Sequence, residues 1–167
     1  MPKEIISQLE SALNDTLHLL DSFTEKELNI VPFEGSWTAA QVARHLYKSE
    51  TGIDQIFYAP SQPADRDPEE KAAWMKELFL NFENKMKSPD FILPEEKHYE
   101  KVALEESLEE EKTKVLEAVQ NSNLSEIAIL SEDHPLKGST KLEILHFLTY
   151  HTMRHNHQIR KIKQALN

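Results

Sequence analysis

The segment LTYHTMRHNHQI, residues 148–159, holds the densest group of histidines in the chain. His151, His155 and His157 fall within seven positions, against eight histidines in 167 residues. A neutral imidazole offers a nitrogen lone pair to a metal or a proton, and its charge changes near physiological pH. His151 and His155 are four apart, so on an α-helix they project from one face a turn apart and can reach a single ion. His157 lies only two residues beyond His155 and points elsewhere, while His146, five before His151, is displaced around the cylinder. A third candidate, His45, stands in GSWTAAQVARHL, residues 35–46. Together His45, His151 and His155 supply the three imidazoles of a catalytic zinc-type site, which leaves a fourth position for water or substrate. The alternative for each is an ordinary histidine, solvated or hydrogen-bonded to a neighbour.

Other metal chemistries fit less well. A zincin needs H-E-x-x-H, but HTMRH carries threonine where the general base belongs. The Glu-x-x-His of Glu143 and His146 occurs once, whereas a di-iron bundle needs two such motifs and further glutamates. Glu143 is better read with Thr140 as the T-x-x-E capping box that opens a helix. The chain has no cysteine, so it has no disulfide and no thiolate ligand, and any metal must be held by nitrogen and oxygen. His18, His98 and His134 occur singly and read as solvent-facing. Trp37 and Trp74 read as packing anchors. Glu50, just past His45, reads as a solvated glutamate.

These side chains must be positioned by helices. Ile5, Ile6, Leu9, Leu13, Leu17 and Leu20 recur at three- and four-residue steps and predict a helix over about residues 3–22. Ser36 is a plausible N-cap for a second helix to about Phe57, with an inner stripe of Val42, His45, Leu46, Ser49, Ile53 and Ile56. A helix from about Glu69 to Lys87 places Trp74, Leu78, Phe82 and Met86 on one side. ALEESLEEEKTKVLEAVQ reads as an acidic helix with Leu104, Leu108, Val115, Leu116 and Val119 inward and its charges solvated. The last helix, about 141–165, carries Ile144, Leu145, Leu148, His151, Thr152, His155, Ile159, Ile162 and Leu166 on its stripe. The expected fold is all-α, a bundle of four main helices with one short accessory helix, in a single domain over residues 1–167. All three candidate histidines lie on apolar stripes, where an unpartnered polar group costs ~1–3 kcal/mol.

Composition narrows the partners. Twenty-nine acidic against nineteen basic residues give a formal net charge of −10, which repels nucleic acid and anionic membranes. RKIKQ near the C-terminus is read as cations favouring a helix macrodipole. No apolar run reaches the ~20 residues of a membrane span and the first residues lack a signal-peptide core, so a cytoplasmic location is expected. Dimerisation through an exposed helix face is compatible with every reading.

Two segments, GSWTAAQVARHL (35–46) and YHTMRHNHQI (150–159), resemble the DinB superfamily of bacterial four-helix bundles, especially its YfiT-like, bacillithiol-transferase branch. The resemblance implies a DinB-like bundle in which His45 from the second helix and His151 and His155 from the last hold a divalent metal, zinc or nickel. It also implies transfer of a low-molecular-weight thiol such as bacillithiol, mycothiol or glutathione, which must arrive as a cosubstrate because the chain has no cysteine. A small-molecule electrophile would be the second substrate. Metal-assisted hydrolysis and a noncatalytic metal- or ligand-binding stress-response bundle are the competing readings, and no catalytic residue beyond the metal ligands is assigned. Where many members read H-R-G-Q-I, this chain has HNHQI, so Asn156 and His157 replace the Arg-Gly pair.

Overall fold

The computed structural model describes residues 2–167. Four long helical segments form the bundle: α1 (Pro2–Asp21), α3 (Ala39–Glu50) with its continuation α4 (Ile53–Tyr58), α6 (Lys101–Gln120) and α7 (Lys141–Leu166). A short α2 (Glu25–Leu28) joins the first two, and α5 (Ala72–Leu80) lies against α7. Each of α1 and α3 packs on both α6 and α7, so the two pairs alternate around the bundle. The expected all-α bundle is the fold observed. The strands among the described residues are one two-residue antiparallel pair, β1 (Ser61–Gln62) and β2 (Ile127–Ala128), registered Ser61 to Ala128 and Gln62 to Ile127.

The apolar stripes meet along the bundle axis. Leu9, Leu13, Phe57, Val115, Leu145 and Leu148 are buried in one part of the core. Leu20, Leu46, Leu104, Leu108, Ile159 and Ile162 are buried in the other. Each such side chain contributes ~1.5–3 kcal/mol through burial. The position of α7, which carries two candidate ligands, is fixed at its start. Thr140 and Glu143 form the expected capping box, and Arg66 reaches both Glu143 oxygens at 2.7 and 2.8 Å. Burial alone would push the Glu143 carboxyl up. Bonds from Arg66, the Thr140 N–H and the Lys71 N–H outweigh that and hold it below the usual carboxylate range.

Three elements differ from the sequence expectation. The second long helix is capped by Thr38 rather than Ser36, in a T-x-x-Q box with Gln41, while the Ser36 hydroxyl donates to the Trp37 carbonyl. That helix does not run unbroken to Phe57: at Gly52 the backbone turns left-handed, φ +82°, where a glycine avoids the Cβ penalty, and α4 restarts beyond it. Helix α5 ends at Leu80, well short of Lys87, and is rotated from the expected phase. Met75 and Phe79 face inward, while Trp74 is 61% exposed and so anchors nothing. Phe82 and Met86, which set the expected stripe, lie beyond the helix end and follow a different path.

Candidate metal centre

His45 comes from the middle of α3, and His151 and His155 come from α7, which packs directly on α3. All three are buried, and one nitrogen of each lies within 4.8 Å of the other two. Nε2 of His45 stands 3.2 Å from Nε2 of His151 and 3.0 Å from Nε2 of His155. Nitrogens bound at ~2.0–2.1 Å in tetrahedral geometry are ~3.3 Å apart, close to these separations.

The outer nitrogens decide what stands at the centre. Nδ1 of His45 lies 2.9 Å from the Ile92 carbonyl, which only accepts, so Nδ1 carries the hydrogen. Nδ1 of His155 donates in the same way to Oε1 of Gln158 at 2.8 Å. In a neutral ring with its hydrogen on Nδ1, Nε2 presents a lone pair. Two lone pairs 3.0 Å apart repel unless a cation or a proton stands between them.

A proton fits poorly. Burial first, and the facing rings second, push His155 down to about 3 and His151 well below the ordinary histidine range; burial also lowers His45, partly offset by the Ile92 carbonyl. Neutral imidazoles converging through Nε2 are the donor set of a divalent metal, and this buried cluster could hold one. His151 is oriented by packing rather than by a hydrogen bond. Its ring stacks on Phe147 at 5.4 Å and 24° and meets Phe79 edge-on, and its buried Nδ1 has no partner.

The cluster sits in the wall of a cleft of about 1200 Å³. Trp37, 5.1 Å from the His45 ring, and Phe79 form apolar wall near the histidines. The cleft is bounded by the segment 81–89 after α5 and by the 3-10 turn Asp90–Ile92, whose last carbonyl orients His45. Arg154 pins the first of these by donating to the carbonyls of Phe79 and Asn81, at 3.1 Å each, and of Asn84.

The remaining histidines lie outside the triad. His146 is buried between Tyr150 and Glu69, at 3.1 and 2.9 Å. His157 lines the cleft and stacks on Phe82 at 3.9 Å, the two rings 5° from parallel. His18 and His98 are exposed as expected, but His134 is half-buried, accepts from the Leu136 N–H and lines the cleft. Asn156, at the position where this chain departs from the Arg-Gly pattern, is buried against α1 and bonds the Ala12 carbonyl and Thr16.

Glu50 is not solvated and does not line the cleft. It is 2% exposed, its Oε2 is unpartnered, and burial together with the charge of Glu111 on α6 pushes its carboxyl up to about 8. Glu111 is likewise buried, an exception to the solvated acidic face expected of α6. The spacing contained both: Ala43, Leu46, Glu50, Ile53 and Phe57 form one 3-4 stripe, and Leu104, Leu108, Glu111 and Val115 form another. Gln158, three residues after His155, was equally readable as its orienting partner by helical spacing.

A helical bundle presenting converging histidines from two facing helices defines a class of metal-site bundles. Comparison with family models assigns it more closely: the chain belongs to the DinB superfamily, whose model matches residues 8–159. No curated protein and no solved structure matches the chain.

Proposed function

We propose that this chain, acting as one domain, is a metal-dependent S-transferase that joins a low-molecular-weight thiol to a small electrophile. His45, His151 and His155 would be the ligands of zinc or nickel. The observation that carries the reading is the convergence of three Nε2 atoms in the wall of an open cleft, each on a ring whose protonation burial disfavours. A dication held there supplies positive charge that lowers the pKa of a thiol reaching the site.

The chain's own groups do the rest. Ile92 and Gln158 fix the ring faces and tautomers of His45 and His155. Trp37, Phe79 and Phe147 exclude water from one side of the site. The thiol sulfur forms a bond to the electrophilic carbon, the leaving group departs with its electron pair, and the thiol proton passes to solvent. Among the described residues no aspartate or glutamate lines the cleft. His134 and His157 are the lining imidazoles outside the triad that could take a proton, and a thiol, starting from a pKa of ~8.5, needs less help from such a base than water does.

The test is incubation of zinc- or nickel-loaded protein with bacillithiol, mycothiol, glutathione and a thiol-reactive chromogenic electrophile. The reading expects metal-dependent thioether formation with at least one thiol. A rate equal to that of metal-free protein with all three would refute it.

A further inference from the structure

The cleft has the opposite electrostatic character to the molecule. The chain carries a formal net charge of −10, yet the lining combines five lysine or arginine residues with no carboxylate among the described residues. One of the five, Lys48, is neutralised by Glu95 at 2.8 Å. Lys85, Lys87 and Lys161 have no ion-pair partner among the described residues. Among the described residues the Arg154 guanidinium is bonded only to backbone carbonyls, which leave its charge uncompensated. Cations along a partly enclosed, low-dielectric wall focus their field into it and concentrate anions there.

The same mouth is apolar. Phe33, Phe82, Met86, Phe91 and Leu93 are five of the large hydrophobic side chains this protein leaves exposed, and all five line the cleft. An apolar surface edged by unpaired cations matches a molecule with a greasy body and an anionic end. We infer that the cleft selects an organic anion, a substrate with an aromatic or aliphatic body bearing a carboxylate or a phosphate monoester. This rests on the proposed function for the reaction but not for the binding. The exposed rings of Phe33, Phe82 and Phe91 would take the apolar body, and the anion is drawn to Lys85, Lys87, Arg154 and Lys161.

The experiment is calorimetric titration of the full chain, metal-free and metal-loaded, with phenylbutyrate, phenylbutyl phosphate and phenylbutanol, with metal content measured on the same samples. The expected result is that at least one anion binds the metal-free protein about tenfold or more tightly than the alcohol at low salt, with the preference shrinking as salt screens the cleft. The tighter of the two anions identifies the headgroup. The triple variant Lys85→Glu, Lys87→Glu, Lys161→Glu, with unchanged helicity and metal content, is expected to lose the preference while keeping alcohol affinity. Equal affinities for acid and alcohol, or no binding by any probe, would overturn the inference. So would a preference that appears only with metal and survives the triple variant, since the dication alone would then explain it. Anion selectivity in a protein that takes up no metal sinks the metal-enzyme reading alone, and full metal uptake without selectivity sinks only the present inference.

Discussion

His45 and Glu50 are five residues apart on α3, about 140° around its axis, and both are almost wholly removed from water. On one side of the helix, His45 meets His151 and His155 from α7; on the other, Glu50 faces Glu111 from α6. Each cluster gathers groups of one kind at close quarters in low dielectric, and each has to be relieved of a repulsion. The histidines are bases whose lone pairs point at one another beside an open cleft, so an entering cation relieves them. The carboxyls are acids away from the cleft, so Glu50 relieves the strain by holding its proton. A buried titratable cluster is therefore evidence for a ligand only when its relief comes from outside the chain and a route to it exists.

Removing a proposed ligand breaks the comparison most severely. His45→Ala is expected to lower metal affinity by at least ~100-fold, beyond the loss typical when a ligand keeps its place but loses its hydrogen-bond partner, and to reduce thiol transfer to the metal-free background. Competition with a metallochromic chelator reads the first and the electrophile assay the second. Retention of affinity within a few-fold of wild type would mean that the triad is not the metal site.

Gln158→Leu sharpens the same side without touching any of the three imidazoles. It removes the acceptor that holds the His155 hydrogen on Nδ1, and the expected cost is ~10–100-fold in metal affinity with the helical spectrum unchanged. Unaltered affinity would show that packing alone fixes that ring.

The two sides also carry opposite pH slopes. His155 is held at about 3 against 6.5 in the unfolded chain, so between these values the unfolded state binds more protons, and this contribution is intact above pH 6.5 and lost as pH falls toward 3. Glu50 is held at about 8 against 4.5 unfolded, so here the folded state binds more protons. That contribution is complete below pH 4.5 and lost as pH rises through 8. Glu50→Gln is therefore expected to match wild type near pH 4.5 and to exceed it at pH 9 by about 4 kcal/mol, at roughly 1.4 kcal/mol for each pH unit between the folded and unfolded values. Thermal melts of metal-free protein at pH 9 should show this as a rise of roughly 8–16 °C in Tm. A difference between variant and wild type that does not change with pH would contradict the protonated Glu50.

Much of this arrangement is written in the sequence, and the rest has identifiable physical reasons. The 3-4 stripe of the last helix and its Thr140–Glu143 box give α7 its span, and His151 and His155 inherit their common face from a four-residue spacing that survives any small error in helix ends. His45 follows from the stripe of α3, although that helix starts at Thr38 and breaks at Gly52. Periodicity tolerates such shifts because it fixes phase, not ends. Phase failed at α5, where Trp74, Leu78, Phe82 and Met86 form as good a stripe as Met75 and Phe79, and only packing on α7 decides between them. Glu50 and Glu111 occupied core registers, but the usual exposure of glutamate outweighed their spacing. The cleft was out of reach because it is assembled from residues distant in the chain, with no local pattern linking Ile92 or Lys85 to His45.

The most direct test of the account is the metal content of wild-type protein purified without a histidine tag and loaded with zinc or nickel, set against His151→Ala treated identically. About one divalent ion per chain in the wild type and almost none in the folded variant is the predicted result. Equal content in the two proteins, or a wild type that retains no ion after loading, would contradict the claim that these three imidazoles converge on a cation.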